Sequence, residues 1–435
     1  MEHLRIRGGV RGLQGKIRVP GDKSISHRAI ILGALAEGVT EISGYLRSED
    51  CQRTLEAVRA LGIHLEGGEP LRIHGRGLHG LREAGDILDC GNSGTTIRLL
   101  AGMLSGQPFL SILTGDASLR RRPMDRVVLP LRQMGAEIWG RARDTLPPLA
   151  VRGGRLRGLR YQSPVASAQV KSAILLAGLF AEGPTTVIEP TRSRDHSERL
   201  LKAAGQMVET EGREVTLVPA GTLRTDPISI PGDFSSAAFF LVAGLILPDS
   251  DLTIEGVGVN PTRTGLLEVL RAMGGVVEVE QEGESAGEPR ARLRVRTSRL
   301  KGVRIGGDLI PRLIDEIPAL AVAAACAEGK TIIQDAGELR VKESDRIRAI
   351  AAALNRMEVR TEEIEDGLII HGCESLRGAS CESHGDHRMA MAFTVAGLRA
   401  DKETSILGTA CIQTSFPGFV QTLQDLFPGS VEQKG

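Results

Sequence analysis

The feature that most narrows what this chain can fold into is one kind of segment written six times along it. Each copy is a polar cluster followed by a helix-length apolar stretch and, usually, a closing Gly. The copies read SISHRAIILGALAEG from Ser24, NSGTTIRLLAGMLSG from Asn92 and SAQVKSAILLAGLFAEG from Ser167. They continue as DFSSAAFFLVAGLILP from Asp233, DEIPALAVAAACAEG from Asp315 and DHRMAMAFTVAGLRA from Asp386. Recurrence at roughly 70-residue intervals is the mark of a repeated supersecondary unit. A helix that is apolar all round has no face to offer water, so all six are expected to be buried.

A second helix with a different grammar follows in each unit. LEAVRALG, VLPLRQMG, RLLKAAG and LEVLRAMG carry one apolar stripe and end on a Gly suited to a helix C-cap. RIRAIAAALNRM and FVQTLQDLF are looser versions. Period-two runs such as VVEVE and ARLRVR read as strands, and the polar stretch Gln281 to Arg290 reads as an exposed hairpin loop. A repeated phrase marks the midpoint: VPGDKS at Val19–Ser24 and IPGDFS at Ile230–Ser235. At 435 residues the chain exceeds one ordinary core. It therefore divides into an N-terminal domain of three units, residues 21–230, and a C-terminal domain of three, residues 231–435.

Composition removes several classes of function. Lys plus Arg equals Asp plus Glu at 54 each, and aromatics are 3%. A nucleic-acid binder wants a basic excess and, for single strands, stacking platforms, so no nucleic-acid partner is expected. The longest apolar run, Ala237–Leu247, is too short to span a bilayer, and MEHLRIRGGV lacks the apolar core of a signal peptide. Six scattered cysteines without a CxxC pair read as reduced thiols. The expectation is a cytoplasmic protein with no membrane partner, and a monomer, because no apolar stripe is left over once the units pack.

Chemistry concentrates where the buried helices begin. A helix N-terminus offers unpaired N–H groups and partial positive charge, which suits anions. Cations cluster with these starts: Lys23, Arg28, Arg98, Arg120 to Arg122, Lys171, Arg194, Lys342, Arg346 and Arg388. Arg grips carboxylate or phosphate through two N–H groups, and Lys supplies a point charge or a proton. Asp315 and Glu343 are each expected at the head of a helix, where a carboxylate among cations can act as base or proton relay. Other motifs fail. Gly75–Gly80 matches G-x-G-x-x-G, but no helix opens directly from it. Asp22-Lys23-Ser24 lacks the Gly a P-loop needs before its Lys, and no G-x-S-x-G is present. The nine His show no paired-ligand spacing, so no metal is expected, and with the nucleotide motifs failing no organic cofactor is expected either.

Nine phrases in order carry a family resemblance: PGDKSISHRA, GNSGTT with Arg98, LRRRPM, SAQVKSA, RSRDHSE, LIDEIPALAVAAA, VKESDRI, GDHRMAMA and TSFPGF. Across essentially the whole chain the sequence resembles the 5-enolpyruvylshikimate-3-phosphate synthases. The resemblance implies an α/β fold of two similar domains, each of three βαβαββ-type repeats with buried helices (an inside-out α/β barrel), with residues 1–20 joining the second domain. It implies transfer of the enolpyruvyl group of phosphoenolpyruvate to the 5-hydroxyl of shikimate 3-phosphate, without a cofactor, in a cleft between domains that closes on its substrates.

Carried over position by position, the resemblance assigns shikimate 3-phosphate to Lys23, Ser24, Arg28, Ser167, Gln169, Arg194, Asp315 and Lys342. It assigns phosphoenolpyruvate to Lys23, Gly94, Arg122, Gln169, Arg346 and Arg388. Lys23, Asp315 and Glu343 become the catalytic groups, with Asp315 as base and the other two sharing the proton. Gly94, where some members have Ala, implies sensitivity to the inhibitor glyphosate. Two positions depart from many members: Ala168 replaces a Ser, and Thr414 replaces a Lys that would contact phosphate. A sister class acting on UDP-N-acetylglucosamine carries a Cys before an Arg-Pro pair, and here the loop Gly115–Pro123 has none. A non-catalytic anion-binding protein on the same scaffold is the remaining alternative.

Overall fold

The computed structural model describes residues 2–434. The chain forms two compact units, one of Gly21–Pro231 with Glu284–Glu288, the other of Met1–Pro20, Gly232–Gly283 and Pro289–Gly435. The six apolar segments are helices: α1 (Lys23–Leu35), α2 (Gly94–Leu104) and α3 (Ala168–Gly178) in the first unit. The second unit holds α4 (Phe234–Ile246), α5 (Ile317–Ala325) and α6 (His387–Arg399). Every residue of α4 and α5 is buried, as a helix without a polar face requires.

Among the described residues six four-stranded sheets form, and each has one plan. An entering strand pairs parallel to a second, which pairs antiparallel to a third; a fourth closes the edge. In the second repeat these are Leu88–Asp89, Leu110–Thr114, Leu146–Arg152 and Glu137–Gly140. The chain runs strand, buried helix, strand, outer helix, strand, strand. The first and fourth repeats borrow their entering strands: Ile228–Ser229 pairs parallel to Glu37–Ser43, and Gln14–Arg18 parallel to Asp251–Gly258. The last borrows an interior strand, His3–Ile6, which lies between Thr404–Leu407 and Val431–Lys434. The two Pro-Gly-Asp phrases stand at these borrowings. Asp22 N–H donates to the Pro231 carbonyl and Asp233 N–H to the Pro20 carbonyl, both at 2.8 Å.

The outer helices end as their Gly residues require. Gly62, Gly135, Gly205 and Gly274 have φ between 84° and 113°, which an L side chain rarely adopts. In the looser fifth copy Glu358 takes the left-handed conformation instead, at φ 63°.

The stretch Gln281–Arg290 is a hairpin, as expected, but it is strand up to a tight turn rather than a loop, and its far side is covered. Strands Val276–Ser285 and Glu288–Arg296 run to a two-residue turn at Ala286 and Gly287. Glu288 is buried, with Oε1 2.7 Å from His196 Nδ1, and Arg199 Nη1 donates to the Gly287 carbonyl at 2.6 Å. The partner of Glu288 stands 92 residues away in the chain, so a local reading of polar residues points the wrong way.

No helix among the described residues is long and apolar enough to cross a membrane. Packing between α2 and α3 depends on Gly102, where a Cβ would lie 2.2 Å from the Ala173 carbonyl oxygen. Gly102→Ala is expected to destabilise the protein by about 1–3 kcal/mol, the usual penalty of overpacking. Urea unfolding followed by circular dichroism measures it, and an unchanged midpoint would show that the two helices part without penalty.

Candidate active site

Side chains from the helix starts form one cluster in each unit. In the unit of α1, α2 and α3 the true caps are Asp22, Ser93 and Ser167, which accept from the N–H groups of Ile25, Thr96 and Val170. Lys23 is therefore the first helical residue, and its Nζ lies 3.1 Å from Asp50 Oδ2. Arg28, one turn on, is buried among oxygens: Nε donates to Ser197 Oγ at 2.8 Å, Nη1 to the Ser24 carbonyl at 2.9 Å and Nη2 to Ser172 Oγ at 2.7 Å. Burial pushes its guanidinium down to about 10, with Glu198 and Asp22 opposing and Arg194 adding to the depression, so it stays charged at neutral pH.

The start of α2 holds two more guanidiniums around a glycine. A Cβ on Gly94 would lie 2.7 Å from Arg98 Nη1 and 3.2 Å from Arg122 Nη1. Arg122 is fixed by the Asn92 carbonyl at 3.2 Å, Asn92 Oδ1 at 2.6 Å and Ser118 Oγ at 3.3 Å. Arg98 donates to Gln169 Oε1 at 2.7 Å, and Gln169 in turn donates to Thr95 Oγ1 at 2.9 Å. Gly94, Arg98, Arg122 and Gln169 are thus one connected group, which the order of the chain does not reveal.

Lys171 is not part of it. Its Nζ is fully buried between Glu189 Oε2 at 2.8 Å and Glu198 Oε1 at 2.7 Å. Burial alone would lower its pKa, but the two carboxylates outweigh it and hold the ammonium above its ordinary value. The sequence shows a Lys on a buried helix; the acids that neutralise it come from later in the repeat.

The other unit builds its cluster on Arg346, a fully buried arginine. Nε donates to Asp386 Oδ2 at 2.8 Å, Nη2 to Glu343 Oε2 at 2.6 Å, and Nη1 lies 3.4 Å from Asp315 Oδ1. Burial opposes the charge, yet these carboxylates raise the guanidinium above its ordinary value. Arg388 Nη1 donates to the Asp315 carbonyl at 3.1 Å, and its Nη2 is 3.8 Å from Asp315 Oδ2. Half-buried Lys342 sits beside the same group, its pKa lowered chiefly by burial and partly by Arg346, with Asp315 opposing. Thr414 Oγ1 donates to the Cys411 carbonyl at 2.7 Å and lies 3.3 Å from His387 Nδ1, next to Arg388.

Neither Asp315 nor Glu343 heads a helix. Asp315 lies in the turn between the 3₁₀ segment Gly307–Arg312 and α5, which has no side-chain cap and carries Pro in its first turn. Glu343 precedes a helix capped by Asp345, whose Oδ1 accepts from Arg348 N–H at 3.1 Å. Both acids turn toward Arg346. Two positioning residues escaped the sequence reading. Asp50 looks like an acid placed for the dipole of its own helix, and Asp386 looks like a simple cap. Asp386 does both jobs: Oδ1 caps α6 through Arg388 N–H at 3.0 Å while Oδ2 holds Arg346.

The fold of six such repeats is shared with known transferases. The enolpyruvyl transferase NikO from Streptomyces tendae superposes with a TM-score of 0.80 over the whole chain at 19% identity, a likeness of fold. The family model for EPSP synthase (3-phosphoshikimate 1-carboxyvinyltransferase) matches residues 8–423. The chain belongs to the EPSP synthase family. A curated 3-phosphoshikimate 1-carboxyvinyltransferase from Desulforudis audaxviator is 57% identical over 418 residues, covering 96% of this chain and 97% of that one. Another from Geobacter sulfurreducens is 57% identical over 414 residues, covering 95% and 96%. The EPSP synthase structure from Acinetobacter baumannii shares 48% identity, covers both chains fully and superposes with a TM-score of 0.89.

A polar chain underlies the first cluster: His27 Nδ1 meets Thr54 Oγ1 at 2.7 Å, and Thr54 meets Thr96 Oγ1 at 2.8 Å. Burial, then the charges of Lys23 and Arg28, hold His27 well below 6.5, with Asp22 opposing. The folded protein resists a proton that the unfolded chain accepts near pH 6.5. Stability is therefore full above pH 6.5 and falls as pH drops through it toward the depressed folded value, by up to about 1.4 kcal/mol per unit. His27→Asn should lose less stability than the native protein between pH 7 and 5.5 in urea titrations. Equal losses would assign the acid sensitivity to other groups.

Proposed function

We propose that this protein moves the enolpyruvyl group of phosphoenolpyruvate onto the 5-hydroxyl of shikimate 3-phosphate and releases phosphate, in the shikimate pathway that leads to aromatic amino acids. The observation that carries the reading is the Asp315–Glu343–Arg346–Arg388 cluster: an ordered pair of guanidiniums for carboxylate or phosphate, with two carboxylates beside them for proton work. Membership of the EPSP synthase family supports the choice of substrates.

In this reaction C3 of phosphoenolpyruvate takes a proton while positive charge grows at C2. The 5-oxygen of the acceptor bonds to C2 as Asp315 takes its proton. The tetrahedral intermediate then loses a proton from C3, the C2–O bond to phosphate breaks, and the double bond returns. Lys23 and Glu343 supply and recover the C3 proton. Arg122, Arg346 and Arg388, fixed before substrate arrives, offer their N–H groups where negative charge must be held. Lys23, Ser24, Arg28, Ser167, Gln169, Arg194, Asp315 and Lys342 bind shikimate 3-phosphate. Arg98 holds Gln169 and borders Gly94, so it joins the phosphoenolpyruvate side as a positioning residue. The six free cysteines fit a reducing cytoplasm, and we assign the active form as a monomer.

Phosphate release from phosphoenolpyruvate should require shikimate 3-phosphate and not respond to UDP-N-acetylglucosamine; release with neither acceptor would remove the activity. Asp315→Ala should lower kcat by about 10²-fold or more, the scale of losing a general base. Retained turnover would take Asp315 out of the mechanism. Glyphosate should inhibit the native protein. Gly94→Ala, whose Cβ meets Arg98 Nη1 at 2.7 Å, should weaken glyphosate and raise KM for phosphoenolpyruvate with kcat less affected. Unaltered inhibition would place the inhibitor elsewhere.

A further inference from the structure

Three side chains outside both clusters gather on the exposed face of the first repeat's sheet. The edge strand His64–Glu66 pairs antiparallel with Leu71–Arg76 in a register that sets His64 directly opposite His74. The imidazole rings lie on one face with centroids 4.8 Å apart. Glu66, two residues along from His64, shares that face, because side chains on a strand alternate. Glu66 Oε1 is 2.8 Å from His74 Nε2 and 3.7 Å from His64 Nε2. The three donor atoms all lie within 4.8 Å of one another.

We propose that His64, His74 and Glu66 form a binding site for a divalent transition-metal ion of the zinc, nickel or cobalt type. Two imidazole nitrogens and one carboxylate oxygen suit such borderline ions, whereas calcium and magnesium seek oxygen alone. Zinc bonds of about 2.0–2.2 Å to these donors at tetrahedral angles separate the donors by about 3.3 Å. The distances of 2.8 and 3.7 Å bracket that value, and side chains exposed by 45% for Glu66 and 66% for His64 can adjust. Charge favours the ion as well. Arg72 Nη1 lies 3.9 Å from Glu66 Oε2, but its Nε is committed to Glu41 Oε1 at 2.9 Å. The two glutamates outweigh that single arginine, so the imidazoles face a net negative patch. The remaining coordination position faces solvent and takes water. An ion there ties the three-residue edge strand to its neighbour, so occupancy should stiffen that margin of the sheet.

No sequence spacing reveals this trio, since His64-x-Glu66 lies on one strand and His74 reaches it only through strand register. The site does not depend on the proposed reaction, and its test is separate. Protein freed of any affinity tag and stripped with a chelator is dialysed to equilibrium against zinc or nickel. One ion should bind per chain, with affinity reduced about tenfold or more in His74→Gln and in Glu66→Gln. His384→Gln, which alters an exposed His beside Glu382, should bind as the native protein does. Zinc should also raise the unfolding temperature of the native chain, reversibly with chelator, and leave that of His74→Gln unchanged. Absence of saturable binding overturns the proposal, and so does equal affinity in a His64→Gln, His74→Gln double variant.

Discussion

A helix that is apolar on every side can meet water only at its ends, and this constraint organises the whole molecule. Six such helices leave their first turns as the places where polar side chains and buried backbone coincide. The unpaired N–H groups there must be satisfied, and the side chains that satisfy them stand at the edge of a desolvated core. Cations and acids placed at those tips act in surroundings where electrostatic interactions are strong. The chemistry is therefore a by-product of how the core is closed, and each repeat can donate residues to a site without any repeat being a site by itself.

Arg346 shows what such placement demands. A guanidinium with no exposure is tolerable only if every charge around it is arranged in advance, and Asp386, Glu343 and Asp315 do this from three different segments. Removing one partner from a buried ionic group typically costs about 3–5 kcal/mol, so the cluster cannot relax far from its shape. That rigidity suits a catalyst that must stabilise charge without reorganising. Lys171 follows the same rule between Glu189 and Glu198, but its charge is consumed internally.

Legibility in the sequence tracks how local each interaction is. The buried helices were readable because apolar runs need no distant partner to be recognised. The closing glycines were readable because only their backbone conformation matters. Ser167 reads as a cap and is one, since a cap binds within its own turn. What failed was long range. Glu288 reads as solvent-facing until His196 is brought to it, and Lys171 reads as a ligand until two glutamates enclose it. Asp50 and Asp386 could not be told from ordinary helix-start acids, because their second partners arrive only with tertiary structure. The grouping of Gly94 with Arg98 and Arg122 lay in between: the residues were visible, the tight fit of a glycine between two guanidiniums was not.

The borrowed strands bear on how the chain acquires its shape as it is made. His3–Ile6 is an interior strand whose neighbours, Thr404–Leu407 and Val431–Lys434, lie about 400 residues further along the sequence. At ribosomal speeds of about 5–20 residues per second, the two are synthesised roughly 20–80 s apart. The segment Gly21–Pro231 contains nearly everything its own core needs and can mature while the rest is still being translated. The strand His3–Ile6, by contrast, cannot take up its native pairing until Thr404–Lys434 has been made. A strand that waits so long is open to capture by another nascent chain, which makes its short length of 4 residues a protection as well as a fit.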